Sequence, residues 1–252
     1  MALTCQVVYI LDMNDEYSIL FDKYLKLSDE KKALNDCVFK AIEDSFGRKS
    51  LDILDVGCGE GKLSSSLAKE GHKVSAIDVR DSFIEANVNF ESIGFFEYST
   101  EKKFDLIIMA YFLWELPLYK WDDVFLKCSQ MIKGGGKIFV VDVCNEGKFD
   151  NIFFEFNLIQ DRESQDLQDY WERYCEKKCA REKKINFNSS LTAANPSDIY
   201  EAIAFFFKEP LLKDIYIKNK QEFIDFFERK KKKNGKIILT SKHALDVIGN
   251  TL

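Results

Sequence analysis

Histidine, proline and glycine are all scarce in this sequence. Its 252 residues include 2 histidines, 3 prolines and 12 glycines. Cys175 and Cys179 are spaced four residues apart, but neither His72 nor His243 lies near them in the sequence. A zinc site of mixed cysteine and histidine ligands needs such residues close together. The sequence therefore predicts no metal site.

Long apolar runs and a regular cysteine framework are also missing. The 7 cysteines are scattered singly and odd in number, which does not indicate disulfide pairing. The apolar stretch Cys5–Leu11 is too short to cross a membrane, and the polar "DMNDEY" follows at once. We expect no signal peptide, no membrane partner and a cytoplasmic location.

The sequence also lacks an excess of basic residues. The formal net charge is −6, which argues against a nucleic-acid partner because binding phosphates needs a basic surface. The one basic block is 229–233, "RKKKK". We interpret it as a solvated helix end and turn, and the alternative is a phosphate- or membrane-binding patch.

The hydrophobic pattern begins as helices and then changes period. Residues 12–28 and 29–46 are each predicted as an amphipathic helix, the second with Ser28 as its N-cap and Gly47 as its end. Alternating strands and helices follow. The predicted strands are 51–57, 73–79, 94–99, 104–114 and 134–143, and the predicted helices between them are 62–71, 81–91 and 121–133. This order predicts a doubly wound, mostly parallel α/β sheet.

The alternation stops after Cys144. Residues 145–190 are charged and predicted to be helical, and 196–210 form another predicted helix. The stretch 235–249, "GKIILTSKHALDVIG", closes the chain either as two β-rich runs or as one long bent strand.

Three glycines stand between the first strand and its helix. Gly57, Gly59 and Gly61 have the spacing G-x-G-x-G, whereas a dinucleotide-binding loop has G-x-G-x-x-G. A P-loop would carry Ser or Thr after Lys62, but Leu63 stands there. Glycines allow a sharp turn and close approach of a ligand to the backbone, and free N–H groups at the helix start favour an anionic group.

A carboxylate ends the second strand. Asp78 lies 17 residues after Gly61. At the tip of that strand, its carboxylate can accept hydrogen bonds from both hydroxyls of a ribose.

Together these segments resemble the class I S-adenosylmethionine-dependent methyltransferases. The matching motifs are "LDVGCGEG", "VSAIDV", "FDLIIMA" and "LKCSQMIKGGGKIFVVDV", within residues 50–143. The resemblance implies a Rossmann-like seven-stranded sheet with an antiparallel last strand. It divides one domain into an N-terminal helical substrate cap (1–46), a cofactor-binding core (47–144) and a segment of lid helices and C-terminal strands (145–252).

The resemblance also implies where S-adenosyl-L-methionine binds. Asp55 would hold the loop or the amino group, Asp78 the ribose, and Val79 would lie beside the adenine. Gly94 takes the place where many members carry an acid, so Phe95 would stack on the adenine or belong to the core, and Glu97 is a displaced substitute. The remaining implied cofactor positions are Gly57, Cys58, Gly59, Gly61, Ala110 and Tyr111, with Cys58 an inert small side chain.

The N-terminal stretch "EYSILFDKYLKLSDEK" resembles the opening of histamine N-methyltransferase. That resemblance implies an amine-binding pocket. Its residues would be Tyr17, Phe21, Tyr24, Glu30, Trp114, Trp171 and Thr240. A carboxylate and aromatic faces suit a protonated amine, although Glu30 is equally explained as a first-turn helix acid and the aromatics as its hydrophobic staple.

The predicted function is methyl transfer to a small molecule at an amine nitrogen. Tyr111 and Glu115, just after the fourth strand, are the candidate catalytic residues, with water as an alternative base and helix capping as an alternative role for Glu115. The Asn-Pro-Pro-[Tyr/Phe] motif of nucleic-acid and glutamine methyltransferases is absent here. Alternatives are a small-molecule O-methyltransferase, a protein or tRNA methyltransferase, and a catalytically silent cofactor-binding subunit.

Overall fold

A computed structural model describes residues 15–81, 83, 85, 87–144, 163–207 and 210–249. The expectations for Cys5–Leu11, for residues 145–162 and for the side chain of Tyr17 lie outside this described part. Among the described residues, no helix is both long and apolar enough to cross a membrane.

A seven-stranded sheet forms the centre of the molecule, in the order β3-β2-β1-β4-β5-β7-β6. The strands are β1 Asp52–Val56, β2 Lys73–Asp78, β3 Asn89–Ser92, β4 Phe104–Ala110, β5 Ile132–Cys144, β6 Ala180–Ala193 and β7 Ile237–Gly249. The first five strands run parallel, and β7 is antiparallel to both β5 and β6. This confirms the predicted Rossmann-like fold with an antiparallel last strand.

Helices cover the sheet on both faces. They are α1 Asp15–Leu27, α2 Glu30–Phe46, α3 Lys62–Lys69, α4 Trp121–Met131, α5 Glu163–Lys178, α6 Pro196–Ile203, α7 Pro210–Lys218 and α8 Lys220–Arg229. The helices α2 and α3 pack on one face of the central strands, while α4 and α5 pack on the other. Strands buried on both faces read as continuous apolar runs, as in "LIIMA" of β4.

The start of α2 is fastened to the edge strand β6. The backbone N–H of Asp29 donates to the carbonyl of Ser190 at 3.1 Å, and the Asp29 carboxylate accepts from the Ser190 N–H at 2.6 Å. Asp29 occupies the N-cap position one residue after the predicted Ser28, but the Asp29 side chain makes no capping hydrogen bond within the helix. The Ser28 hydroxyl instead accepts a hydrogen bond from the N–H of Glu30.

The region around β3 differs from the prediction. The described residues of 81–88 form no helix, and the third strand is Asn89–Ser92 rather than 94–99. Residues 94–98 form a turn in which the carbonyl of Gly94 accepts from the N–H groups of Glu97 and Tyr98. Two of the aromatic residues that suggested a strand, Phe95 and Tyr98, are buried in the core, whereas Phe96 is exposed, so side-chain burial and not strand pairing explains the first two.

The prediction that 145–190 is helical holds for α5 but fails for β6. Residues 180–193 pair along their length with β7, which is a single long strand. β6 lies at the sheet edge, where exposed charged side chains are tolerated and discourage pairing with other chains. The charged residues of β6 therefore explain why the sequence pattern predicted a helix there and not a strand.

The basic block 229–233 follows the end of α8 and continues into a turn, as predicted.

Candidate active site

The glycine loop turns sharply at the carboxyl end of β1. Gly57 and Gly61 have φ angles of 70° and 83°, in the left-handed region that favours glycine. A Cβ on Gly57 would lie 2.9 Å from the Phe112 ring, and one on Gly61 would lie 2.2 Å from the Phe83 ring. Only glycine fits at these two positions without displacing an aromatic side chain.

Asp78, at the end of β2, directs a buried carboxylate toward this loop. It accepts hydrogen bonds from the Gly59 N–H at 2.9 Å, the Arg80 N–H at 2.9 Å and the Arg80 Nε at 3.1 Å. The Arg80 side chain is 45% exposed and that of Asp78 is 5% exposed. A carboxylate at this position can accept hydrogen bonds from ligand hydroxyls.

A second acid lies beneath the loop. Asp55 is 2% exposed and accepts a hydrogen bond from the Ser64 hydroxyl on α3. Burial raises the pKa of Asp55 to about 6, and the neighbouring Asp78 carboxylate raises it as well. Two acids beside the loop make the local potential negative, which suits a positively charged ligand group.

An apolar patch adjoins Asp78. Val79 is 58% exposed, and its Cγ1 lies 3.7 Å from the position that a Cβ on Gly94 would take. The Glu97 carboxylate lies directly over Gly94. Phe95 is buried and packs edge-on against Phe112 at 5.7 Å between ring centroids. The structure therefore brings Val79, Gly94 and Glu97 together at the surface and places Phe95 in the core.

Cys58 lies between the first two loop glycines. Its backbone N–H, like that of Gly57, donates to the carbonyl of Ile77 and so fastens the loop to β2. Burial raises the pKa of the Cys58 thiol, and the Asp55 and Asp78 carboxylates raise it further. The thiolate is disfavoured, which supports the prediction of an inert side chain.

Tyr111 follows Ala110 at the carboxyl end of β4. Its φ of 56° is the only positive φ of a non-glycine residue in the described part of the chain. Its N–H donates to the carbonyl of Val141 at 2.8 Å, which holds this conformation in place. A left-handed tyrosine costs roughly 1–3 kcal/mol, a strain that is concentrated at functional sites.

The Tyr111 hydroxyl is hydrogen-bonded to a histidine that the sequence did not single out. The Tyr111 oxygen lies 3.0 Å from Nδ1 of His243, and Nε2 of His243 lies 2.8 Å from the Ser189 hydroxyl. The imidazole is fully buried and stacks on Phe187. Burial lowers the pKa of His243 to about 4, so the ring is neutral at pH 7. The only signal in the sequence was a histidine inside an apolar strand.

Tyr24 and Glu30, from the N-terminal helices, lie within electrostatic range of Tyr111. The Tyr24 hydroxyl donates to Oε2 of Glu30 at 2.6 Å, and the ring of Phe21 stacks on Tyr24. Burial raises the pKa of Glu30. The pKa of Tyr111 is raised by burial first and then by the charges of Glu30 and Asp142.

The other predicted substrate residues lie elsewhere. Trp171 is in the α4–α5 layer, where its Nε1 donates to Asp246 at 2.7 Å. Trp171 and Trp114 line a cavity of about 10 Å³, the size of one water molecule. Asp246 and His243 point to opposite faces of the sheet, because side chains alternate along β7. Trp171 and Tyr111 are thus on opposite sides.

Thr240 and Glu115 are the remaining predicted residues. Thr240 pairs with Ser190 in the ladder between β7 and β6, and is half-buried. Glu115 is exposed in a short 3₁₀ turn, Leu113–Glu115. No group of three or more potential metal ligands is found in the described residues.

Residues 15–197 match the profile of a family described as a methyltransferase domain. The chain belongs to this family and is a class I S-adenosylmethionine-dependent methyltransferase. Solved structures include a neighbour of the same fold, the N-methyltransferase NodS from Bradyrhizobium japonicum with S-adenosyl-L-homocysteine. Its TM-score is 0.51 at 12% identity, covering 95% of this chain and 100% of NodS.

Two curated relatives match shorter stretches of this methyltransferase. Over 118 residues it is 32% identical to a ubiquinone biosynthesis O-methyltransferase of Coxiella burnetii, covering 42% of this chain and 49% of that protein. Over 105 residues it is 37% identical to a malonyl-acyl-carrier-protein O-methyltransferase of Acetivibrio thermocellus, covering 37% of this chain and 36% of that protein. The chain thus spans about half, or less, of the length of the curated relatives that it matches.

The cofactor of the methyltransferase is S-adenosyl-L-methionine, and the residues around the glycine loop fit it. The loop backbone lacks Cβ atoms at the turn, Asp78 offers a fixed carboxylate, and Val79 offers an exposed apolar surface. The cofactor carries an amino group and a sulfonium, and the acids Asp55 and Asp78 complement that positive charge.

Proposed function

We propose that this methyltransferase transfers a methyl group to an amine nitrogen of a small molecule. The observation that carries the proposal is the hydrogen-bonded pair of Tyr24 and Glu30, which lies within electrostatic range of Tyr111 at the carboxyl end of β4. The cofactor supplies a methyl group that is already activated as a sulfonium. The protein has to bind the amine, exclude water and orient the nitrogen.

The charge near Tyr111 favours an amine over an acid. Glu30 is a carboxylate, and its charge raises the pKa of Tyr111. A negative charge attracts a protonated amine and repels a carboxylate acceptor. The aromatic rings of Phe21 and Tyr24 add faces on which a cation can rest.

Glu30 also suits the proton transfer that an amine requires, because only a neutral amine is nucleophilic. The raised pKa of Glu30 makes it a better proton acceptor than an ordinary carboxylate. The hydrogen bond from Tyr24 fixes the orientation of the carboxylate at 2.6 Å. We therefore assign to Glu30 both binding of the ammonium group and acceptance of its proton.

The remaining assignments follow from this proposal. The cofactor would contact Gly57, Gly59 and Gly61, with Asp78 at the ribose and Val79 and Gly94 at the adenine. Residues 1–46 would act as the substrate cap, 47–144 as the cofactor-binding core and 145–252 as the lid and sheet-completing segment. Tyr111 would contact the acceptor, while Glu115 is too exposed to be desolvated with it.

A small-molecule O-methyltransferase is the second candidate. Both curated relatives described above are O-methyltransferases by name. The hydrogen-bonded pair of Tyr111 and His243 supports it, because the pair offers polar groups next to a reacting hydroxyl. Against it stands the charge of Glu30, which acts on Tyr111.

A panel of matched acceptors tests the proposal. Aromatic and aliphatic amines are incubated with enzyme and S-adenosylmethionine beside the alcohols, phenols and carboxylic acids of the same skeleton. Release of S-adenosylhomocysteine and the mass of the product are measured. We expect methylated amines and little reaction of the oxygen analogues. Turnover of phenols or carboxylic acids alone would overturn the assignment to nitrogen.

A further inference from the structure

Three side chains form a continuous hydrogen-bond chain across the edge of the sheet. Ser189 on β6 contacts Nε2 of His243 on β7, and Nδ1 of the same ring contacts the hydroxyl of Tyr111. Among the described residues, His243 is the one side-chain hydrogen-bond partner recorded for the Ser189 hydroxyl and for the Tyr111 hydroxyl. The direction of the protons along this chain decides what Tyr111 offers to a ligand.

Two arrangements are possible, because a neutral imidazole carries a single N–H. In one, Tyr111 donates to Nδ1 and Nε2–H donates to Ser189, whose own hydroxyl proton is left without an acceptor. In the other, Ser189 donates to Nε2, Nδ1–H donates to Tyr111, and the proton of Tyr111 is left over. The two arrangements differ only in whether the Ser189 or the Tyr111 hydroxyl proton lacks an acceptor within the hydrogen-bond chain.

The surroundings of the two hydroxyls decide between the arrangements. Ser189 is 2% exposed, and among the described residues its hydroxyl has no recorded side-chain partner besides His243, so a proton left over there would be buried without an acceptor. The Tyr111 hydroxyl is also buried, but Tyr111 lies at the carboxyl end of β4, where the charge of Glu30 acts on it. A leftover proton on Tyr111 can reach a ligand in the site.

We propose that His243 is held by Ser189 as the Nδ1–H tautomer and is a positioning residue that makes Tyr111 a hydrogen-bond donor to the methyl acceptor. The role toward the acceptor rests on the proposed function, whereas the tautomer does not. The Tyr111 donor defines the substrate class as an amine with a hydrogen-bond-accepting atom close to its reacting nitrogen. Such an atom is a carbonyl oxygen, an ether oxygen or a ring nitrogen.

Nitrogen-15 NMR of histidine-labelled protein tests the tautomer directly. The chain has 2 histidines, so the spectrum contains two imidazole spin systems. His72 serves as an internal reference, because its Nδ1 accepts from the Leu51 N–H and its proton must be on Nε2. At pH 7 we expect a protonated Nδ1 and an unprotonated Nε2 for His243. A protonated Nε2 on His243 would overturn the proposal, whatever acceptor the enzyme uses.

Substitutions test the positioning role. Ser189→Ala removes the donor to Nε2, so we expect the proton of His243 to redistribute toward Nε2 in the same NMR experiment. His243→Leu is expected to raise the KM for an amine with an adjacent accepting atom about tenfold, whereas His243→Asn, which keeps a donor near the position of Nδ1, recovers part of that loss. Circular dichroism and calorimetric titration with S-adenosylmethionine verify that the variants are folded.

Equal KM values for His243→Leu and the wild type would contradict the positioning role. Loss of cofactor binding in both His243 variants would indicate a structural role instead and would equally contradict it. If no amine is methylated but the expected tautomer is found, the proposed function fails and the tautomer assignment stands.

Discussion

The Tyr24 hydroxyl donates a 2.6 Å hydrogen bond to Oε2 of Glu30, joining α1 to the first turn of α2. This contact aims the carboxylate and by itself lowers the pKa of Glu30, but burial outweighs it and leaves that pKa raised. Because the start of α2 is fastened to Ser190 of β6, the pair has a fixed position relative to the sheet. A helix acid that could have been merely a capping feature is therefore held in a fixed place from which its charge acts on Tyr111.

Asp55 is expected to lower the stability of the free enzyme. Its folded-state pKa, about 6, is above the unfolded value of 3.8, so the folded state binds more protons between these values. The contribution of Asp55 to the free energy of unfolding therefore falls as the pH rises from about 4 to about 6. Above about pH 6 it does not change further. We predict that Asp55→Asn raises the free energy of unfolding at pH 7.5 by up to about 3 kcal/mol.

Urea unfolding at two pH values measures this effect. The gain from Asp55→Asn is expected to disappear near pH 3.5, where both states are protonated. Asp22→Asn, at an exposed position of α1, is the matched control and is expected to leave stability unchanged at both pH values. A gain from Asp55→Asn that is independent of pH would contradict the burial argument.

Alanine at Gly61 is expected to damage the cofactor loop. The φ of 83° is unfavourable for alanine, and the added Cβ would run into the Phe83 ring, which is itself stacked on Phe90 at 4.5 Å. We predict a loss of about 1–3 kcal/mol in unfolding free energy and a weaker affinity for S-adenosylmethionine. Thermal unfolding with and without cofactor measures both.

Gly134→Ala provides the control for Gly61→Ala. Gly134 does not have a positive φ, and a Cβ there meets nothing within 4 Å. Its stability and cofactor affinity are expected to match the wild type to within about 0.5 kcal/mol. Equal behaviour of the two alanine variants would show that the loop does not need glycine at position 61.

Asp78→Asn is expected to weaken cofactor binding by at least about tenfold. An amide offers one acceptor oxygen without charge, and hydrogen bonds to a charged group are worth about 1.5–3 kcal/mol each. Calorimetric titration with S-adenosylmethionine gives the two affinities. Asp81→Asn removes an exposed carboxylate three residues away and is expected to bind like the wild type. Similar affinities for Asp78→Asn and Asp81→Asn would remove Asp78 from the ribose site.

The first half of the fold was readable from the sequence because its signals are local. The run "ILDVGCGEGK" (residues 53–62) combines a buried strand, glycines that require left-handed backbone and a helix start within ten residues. Asp78 follows at the next strand end, where parallel strands place their carboxyl ends side by side.

The rest could not be read because it depends on contacts that are distant in sequence. β6 has the charge of a solvated segment and becomes a strand by pairing with β7, which follows it by more than forty residues. His243 looks like an ordinary core residue until the fold brings it to Tyr111, 132 residues earlier. Trp171 looked like a substrate residue, but pairing with Asp246 places it in the opposite layer of helices from Tyr111.

The most direct test of the central claim compares one amine with its isosteric alcohol on the wild type and on Glu30→Gln. The kcat/KM for the amine is expected to fall at least about tenfold in Glu30→Gln through a raised KM and a lowered kcat, because both the charged partner of the ammonium and the proton acceptor are lost. Glu43→Gln, at an exposed position of α2, is expected to behave like the wild type. The account predicts a smaller preference for the amine in Glu30→Gln; an unchanged preference would contradict it.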